Sequence, residues 1–383
     1  MLHTCRIEIS QSALAHNFSF LREMVSDDVQ ISHVVKGNAY GHGTSNFVPL
    51  AEKHGARHFS VFSADEAYNV LEYSSGKCTV MIMGMLDNEQ MKWAIDNDLE
   101  FFIFNENRLH QAKQFAEKMG KKAKIHIELE TGMNRTGFQP DKVDDVTSFL
   151  LDNQEHLHFC GLCTHFAGAE SIANYYRIKK QIINFKRATR KVADKQIMPE
   201  RFHIACSAAA MRYPETQLNM VRLGILQYGF FPSREVLIDY LGKHEIEHYP
   251  LERILSWKSK VMDIKTVKSG EFIGYGTSYL ANGDMKIATV PVGYSHGFSR
   301  SLSNQGRVLI RGQRTSVIGM VNMNAMTVDI SQVEGVELGD EVVLIGKQGD
   351  LEISVSSFGQ FSDQVNYELL TRLPNDIPRL IVN

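Results

Sequence analysis

Lys36 ends the apolar run Val29-Gln30-Ile31-Ser32-His33-Val34-Val35 and opens a glycine-rich turn that runs from Gly37 to Gly43. Partial desolvation at the tip of a buried strand lowers a lysine's pKa and favours the free amine. A free amine beside a tight polar loop suits Schiff-base chemistry with an aldehyde cofactor. The bland reading is a lysine that snorkels out of a strand end. The ends of later apolar runs outweigh it: Glu128 through Arg135, Thr164-His165, His203 through Ser207, and Arg222-Leu223-Gly224-Ile225. A lysine, two arginines, two histidines and a serine would then share one mouth. The Ser207 hydroxyl and the N–H groups of Gly224 and Ile225 suit a phosphate, and a phosphate anchor opposite an amine points to pyridoxal 5′-phosphate. Two histidines with few acidic residues make a metal site the weaker reading.

These groups require elements that bring strand ends together. The first two-thirds of the chain repeats a short apolar strand, a turn and an amphipathic helix, with strands expected at 29–35, 58–62, 79–83, 100–104, 124–129, 158–164, 202–206 and 219–222. Leu14, Phe18, Leu21 and Val25 form a helical stripe ahead of the first, and Ala64 to Leu71 forms another after the second. Eight alternations in about 240 residues predict a (β/α)8 barrel of the TIM type, whose chemistry sits at the C-terminal strand ends. An open doubly wound sheet is the runner-up, but no G-x-G-x-x-G follows the first strand. Beyond about residue 245 helical periodicity fades. Strands are expected at 256–264, 285–292, 308–310 and 341–345, followed by a tail with Pro374 and Pro378. The expected organisation is a barrel over 11–240 and a mostly-β domain over 241–383, with a short strand in 1–10 grouped with the latter.

At 383 residues, 43% hydrophobic and 22% charged, the chain has an ordinary enzyme composition. A net charge of −3 gives no reason to expect nucleic acid or an anionic membrane as partner. No apolar stretch reaches spanning length, and no basic-then-apolar leader opens the chain. Five cysteines, an odd number, fit a reducing cytoplasm. Cys160-Gly161-Leu162-Cys163 matches CxxC but lies inside an apolar run, so both are read as packing residues.

Along nearly its whole length the chain resembles the PLP-dependent alanine racemases. The segment Val34 to Gly43 resembles that family's cofactor-lysine signature. TGMNRTGF at 131–138, THFA at 164–167, SAA at 207–209 and VRLGI at 221–225 also match, as do GYGTSY at 274–279, VGYSHGF at 292–298 and NMNAM at 322–326. The resemblance implies that Lys36 holds the cofactor and that Tyr40, Ser207, Gly224 and Ile225 hold its phosphate. It places Arg222 at the pyridine nitrogen, with His165 and His203 supporting Arg222 and Tyr275. Lys36 and Tyr275 would be two acid/base groups on opposite faces of the substrate. Arg135 would contact the cofactor phenolate or the substrate carboxylate, and the Met323 N–H is another carboxylate donor. Tyr275 and Met323 would reach the other subunit's site, implying a homodimer that takes a small amino acid and supplies D-alanine for peptidoglycan.

Three positions depart from the family's common pattern. Glu128 replaces a lysine modified to a carbamate, and a Glu128–Arg135 ion pair is expected in its place. Asn324 stands where an aspartate is usual. Asn375 replaces a pocket tyrosine and leaves more room, so serine could enter as well as alanine. A serine or broad-specificity racemase is therefore the alternative, followed by a PLP carrier without turnover or a decarboxylase on the same scaffold.

Overall fold

The computed structural model describes residues 3–362 and 366–383. Eight short strands form one parallel sheet: β2 (Gln30–Val34), β3 (His58–Val61), β4 (Thr79–Ile82), β5 (Glu100–Ile103), β6 (Ala123–Glu128), β7 (Leu157–Cys163), β8 (Arg201–His203) and β9 (Met220–Leu223). Each pairs with its sequence neighbour, β2 also pairs with β9, and a parallel bridge between Cys206 and Arg222 links the eighth strand to the ninth. The ring is the predicted barrel. Helices cover the strands outside while side chains fill the inside, so the strands are buried on both faces and read as apolar runs. Met81, Phe102, Cys163 and Met220, from four strands, pack together in its interior.

Local signals set the helix ends. Asp87 and Gln90 form a capping box at Asn88–Asp96, and the Asn105 side chain accepts from the Arg108 N–H at Glu106–Met119. Gly120 closes that second helix in the left-handed conformation.

The chain divides into two compact units. One holds Leu14–Lys36 and Phe47–Glu252, the barrel; the other holds Met1–Ala13, Gly37–Asn46 and Arg253–Asn383. The second is built on a ten-stranded sheet that includes β1 (Cys5–Ser10), antiparallel to β10 (Leu255–Lys260). The run expected as one strand over 256–264 breaks in two. The Val261 N–H turns to the Asp340 carbonyl and the Met262 N–H to that of Thr289, and β11 (Asp263–Val267) then pairs with β12 (Met285–Val290). The proline-containing tail ends in a further strand, Arg379–Val382, parallel to β1.

Candidate active site

Lys36 lies just past the end of β2, where solvent reaches it from the barrel mouth. Protein packed round the rest of the amine lowers its pKa by desolvation. The Arg135 charge, and more weakly that of Arg222, pushes the same way, and Glu66 opposes. The free amine expected from the strand position is therefore favoured.

Arg222 is buried and its guanidinium is fixed on several sides. One terminal nitrogen donates to His203 Nδ1 and to the His203 carbonyl at 2.7 Å; the other donates to the Thr164 carbonyl at 2.8 Å and faces His165 Nδ1 at 3.5 Å. His165 is held down to about 3, first by burial and then by the Arg222, Arg135 and Lys36 charges. His203 lies well below the usual imidazole value for the same leading reason, burial, with Arg222 next. Both rings are neutral at working pH. Ser207, buried at the start of Ser207–Arg212, accepts from the Gly224 N–H at 3.0 Å, and Ile225 follows in a short 3₁₀ turn. The two segments assigned to a phosphate are thus adjacent.

The expected Glu128–Arg135 ion pair does not form. Among the described residues the two make no contact within 4.0 Å of the ion-pair kind. Burial pushes the Glu128 carboxyl pKa up, while a hydrogen bond from Thr136 and the Arg222 and Arg135 charges pull it back. Arg135 is instead exposed on a loop that Glu130 organises. The Glu130 carboxylate accepts from the Gly132 N–H, from Asn134 at 2.7 Å and from Arg135 at 3.3 Å. Gln181, fully buried, ties that loop to the next by donating to Thr131 Oγ1 at 3.1 Å and to the His165 carbonyl at 2.9 Å. Sequence reading missed Gln181. Its signal was a polar residue on the apolar stripe of Tyr175–Asp194.

The remaining predicted residues belong to the other unit. The turn after Lys36 winds left-handed: Gly37, Asn38, Ala39 and Tyr40 have φ of 62°, 53°, 52° and 52°. Three non-glycine residues in this region are disfavoured, each by about 1–2 kcal/mol. Asn38 is held by its own side chain: Oδ1 accepts from the Thr44 N–H at 2.8 Å and Nδ2 donates to Asn375 Oδ1 at 2.8 Å. Gly41 allows a close approach, because a Cβ there would lie 1.8 Å from the Leu370 carbonyl oxygen.

Two of the three resembling segments of this unit, 292–298 and 322–326, meet. The Tyr294 and Ser295 N–H groups donate to the Asn322 and Met323 carbonyls at 3.0 Å each, and Asn324 Nδ2 donates to Ser295 Oγ at 2.9 Å. The turn at Gly274 lies against Met320. Tyr275 is 74% exposed and Met323 56% exposed.

The CxxC cysteines sit within β7 as packing residues. Cys160 and Cys163 are buried, and burial pushes the Cys160 thiol up to about 12. Such a thiol has little thiolate to offer redox chemistry.

The described residues thus form a parallel barrel with a lysine and a buried arginine at its mouth, and a separate unit built on a mostly antiparallel sheet. The alanine racemase N-terminal domain model matches residues 9–232, and the alanine racemase C-terminal domain model matches 254–381. The chain belongs to the alanine racemase family. It is 33% identical to the alanine racemase of Methanococcus maripaludis across all of this chain and 99% of that one. It superposes on the alanine racemase of Clostridium difficile 630 with a TM-score of 0.91 at 29% identity, covering 100% of this chain and 96% of that one. The alanine racemase of Bacillus anthracis with bound L-Ala-P gives 0.87 at 30% identity, covering 100% and 96%. Among the described residues no helix is long and apolar enough to cross a membrane.

Proposed function

We propose that this enzyme interconverts L- and D-alanine with pyridoxal 5′-phosphate carried on Lys36. The observation that carries the reading is the Lys36 amine, lowered in pKa by burial and by Arg135 and standing at the mouth that Arg222 lines. The donor set fits the cofactor: a free amine for its aldehyde, the Ser207 hydroxyl with the Gly224 and Ile225 N–H groups for its phosphate, and Arg222 for its ring nitrogen. Tyr40 and His165 would complete that set. When bound, pyridoxal 5′-phosphate supplies the electron sink that acidifies the substrate Cα–H.

The protein moves the protons. A neutral Lys36 amine takes or returns one on its face of the substrate, and the Tyr275 hydroxyl serves the opposite face. Arg222 already carries a positive charge, so it would oppose protonation of a cofactor ring nitrogen held next to it. The neutral rings of His165 and His203 leave that guanidinium as the one cation of its cluster. Arg135 and the Met323 N–H offer donors to the substrate carboxylate. With Tyr275 and Met323 so exposed on their own unit, we read the enzyme as a homodimer in which each copy lends these residues to the other's mouth. On this reading the enzyme acts in the cytoplasm and supplies D-alanine for peptidoglycan. The boundaries read from sequence, 11–240 and 241–383, are kept as the proposed domains.

Mixing separately inactive Lys36→Ala and Tyr275→Phe subunits tests the scheme. Hybrid dimers regain one intact site, so D-alanine formation from L-alanine should return. If the hybrids form and remain inactive, the shared two-base site is wrong. Serine is the second substrate to assay, because Asn375 engages Asn38 through its amide where a bulkier ring is usual; undetectable serine turnover removes that alternative.

A further inference from the structure

We propose that Glu100 is a positioning residue for Arg222, acting through His126 and His203 along a hydrogen-bond chain inside the barrel. The proposal rests on the reading of Arg222 as the partner of the cofactor ring.

The atoms permit only one direction of donation. A guanidinium has no acceptor, so His203 Nδ1 must accept from Arg222 and the His203 proton must sit on Nε2. That nitrogen lies 2.8 Å from His126 Nδ1, which must therefore accept, leaving the His126 proton on Nε2. His126 Nε2 lies 2.8 Å from Glu100 Oε2, and an ionised carboxylate can only accept. A cation that only donates and an anion that only accepts thus fix both tautomers between them. Protonating either imidazole would set two N–H groups against each other.

Position and burial agree with this. Glu100 opens β5, His58 opens β3 and Arg201 opens β8, all at the end of the barrel away from the mouth. Glu100 also accepts from His58 Nε2 at 3.1 Å and from Arg201. His58 Nδ1 meets Ser32 Oγ at 2.8 Å. His58, His126 and His203 are fully buried, and Glu100 is 4% exposed. Burial works against the Glu100 charge, yet hydrogen bonds from His126 and His58 hold its carboxyl well below the usual range. Among the described residues Arg222 has no carboxylate within ion-pair distance. The buried cation at the mouth and the buried anion at the far end are therefore joined through two polarised rings.

Gly161 makes room for the central link, since a Cβ there would fall 2.1 Å from His126 Nδ1 and 2.8 Å from His203 Nε2. Glu100, His126 and Cys160 also lie at metal-binding spacing, within 4.8 Å of one another. The carboxylate is already filled by two imidazoles and Arg201, whose charge repels a cation, and the Cys160 thiol is held protonated by burial.

Nitrogen NMR of isotope-labelled histidines in the cofactor-free enzyme reads the tautomers directly. His126 and His203 should both carry their proton on Nε2 and stay neutral from about pH 6 to pH 9. Glu100→Gln should shift at least one of these signals, alter the visible band of the Lys36-bound cofactor, and lower kcat about 10- to 100-fold at a KM changed less than about twofold, as loss of an orienting outer partner does. Glu100→Asp should recover part of that loss. A proton on Nδ1 of either ring in the wild-type protein overturns the proposal without any variant. So does a folded Glu100→Gln enzyme with unchanged tautomers and kcat. Failure to trap cofactor on Lys36 with borohydride would sink the cofactor reading and leave the tautomer result standing.

Discussion

Gly161→Ala should be among the most damaging single-methyl additions to the barrel. The new Cβ would lie 2.1 Å from His126 Nδ1, against an ordinary contact of at least 3.4 Å, so the ring must retreat by 1.3 Å, the difference of the two. The 2.8 Å bond from His203 to His126 does not survive that movement. Leaving buried polar groups unpaired costs about 1–3 kcal/mol, and overpacking a dense interior adds about 1–3 kcal/mol. The expected loss is about 2–6 kcal/mol in urea unfolding of the cofactor-free protein. Gly242→Ala is the control: it lies in the helix Arg234–His244 with nothing within 4 Å of its Cβ, and should gain about 0.5–1 kcal/mol. A Gly161→Ala protein within about 1 kcal/mol of wild type, its imidazole tautomers unchanged, would refute the close-approach argument.

Glu130→Ala removes the acceptor of three N–H groups that shape the Arg135 loop. It should raise the KM for alanine about 3- to 10-fold with a smaller effect on kcat; steady-state kinetics showing the reverse split would place Arg135 in the chemical step instead. Stability should fall on acidification. Burial holds His33 down to about 4 and His165 to about 3, whereas an unfolded imidazole titrates near 6.5. Between those values the unfolded chain takes up protons that the native state refuses, so stability present above about pH 6.5 is lost as pH falls towards about 4. Glu100, ionised in the native state below its unfolded pKa, acts with the same sign. A urea midpoint that stays constant from about pH 7 to pH 5 would contradict this.

Much of the barrel was legible because parallel strands buried on both faces read as short apolar runs, and each expected run falls on an observed strand to within a few residues. The mouth residues were legible for a related reason. A fixed rule places chemistry after the strand ends, so Lys36, Ser207, Arg222 and Gly224 could be read from position. The Glu128–Arg135 pair failed because six residues separate them. Backbone N–H groups gathered by Glu130 set the Arg135 loop's course, and no spacing rule encodes such a contact. The second unit was harder to read. Its strands over Gln313–Ile318 and Met326–Asp329 pair with each other, the first also with Arg307–Ile310 and the second with the more distant β12, and half-buried alternation is weak over so few residues. His58, Glu100, His126 and Arg201 went unnoticed, although ionisable residues inside fully buried strands are costly unless partnered. That anomaly was the available signal.

The left-handed turn that follows Lys36 is secured by groups more than 300 positions away in the chain. Arg379 donates to the Gly41 carbonyl at 3.1 Å, Asn46 donates to the Arg379 carbonyl at 2.7 Å, and Asn375 meets Asn38. During translation at about 5–20 residues per second the ribosome must add all of that intervening polypeptide before these anchors exist. Helices and neighbouring strands can form as they emerge, but this bend then has only its short local bonds, such as Thr44 to Asn38, to hold three non-glycine residues in the disfavoured region. On the reading proposed above, capture of pyridoxal 5′-phosphate by a nascent chain should therefore wait until the final strand, Arg379–Val382, has been made.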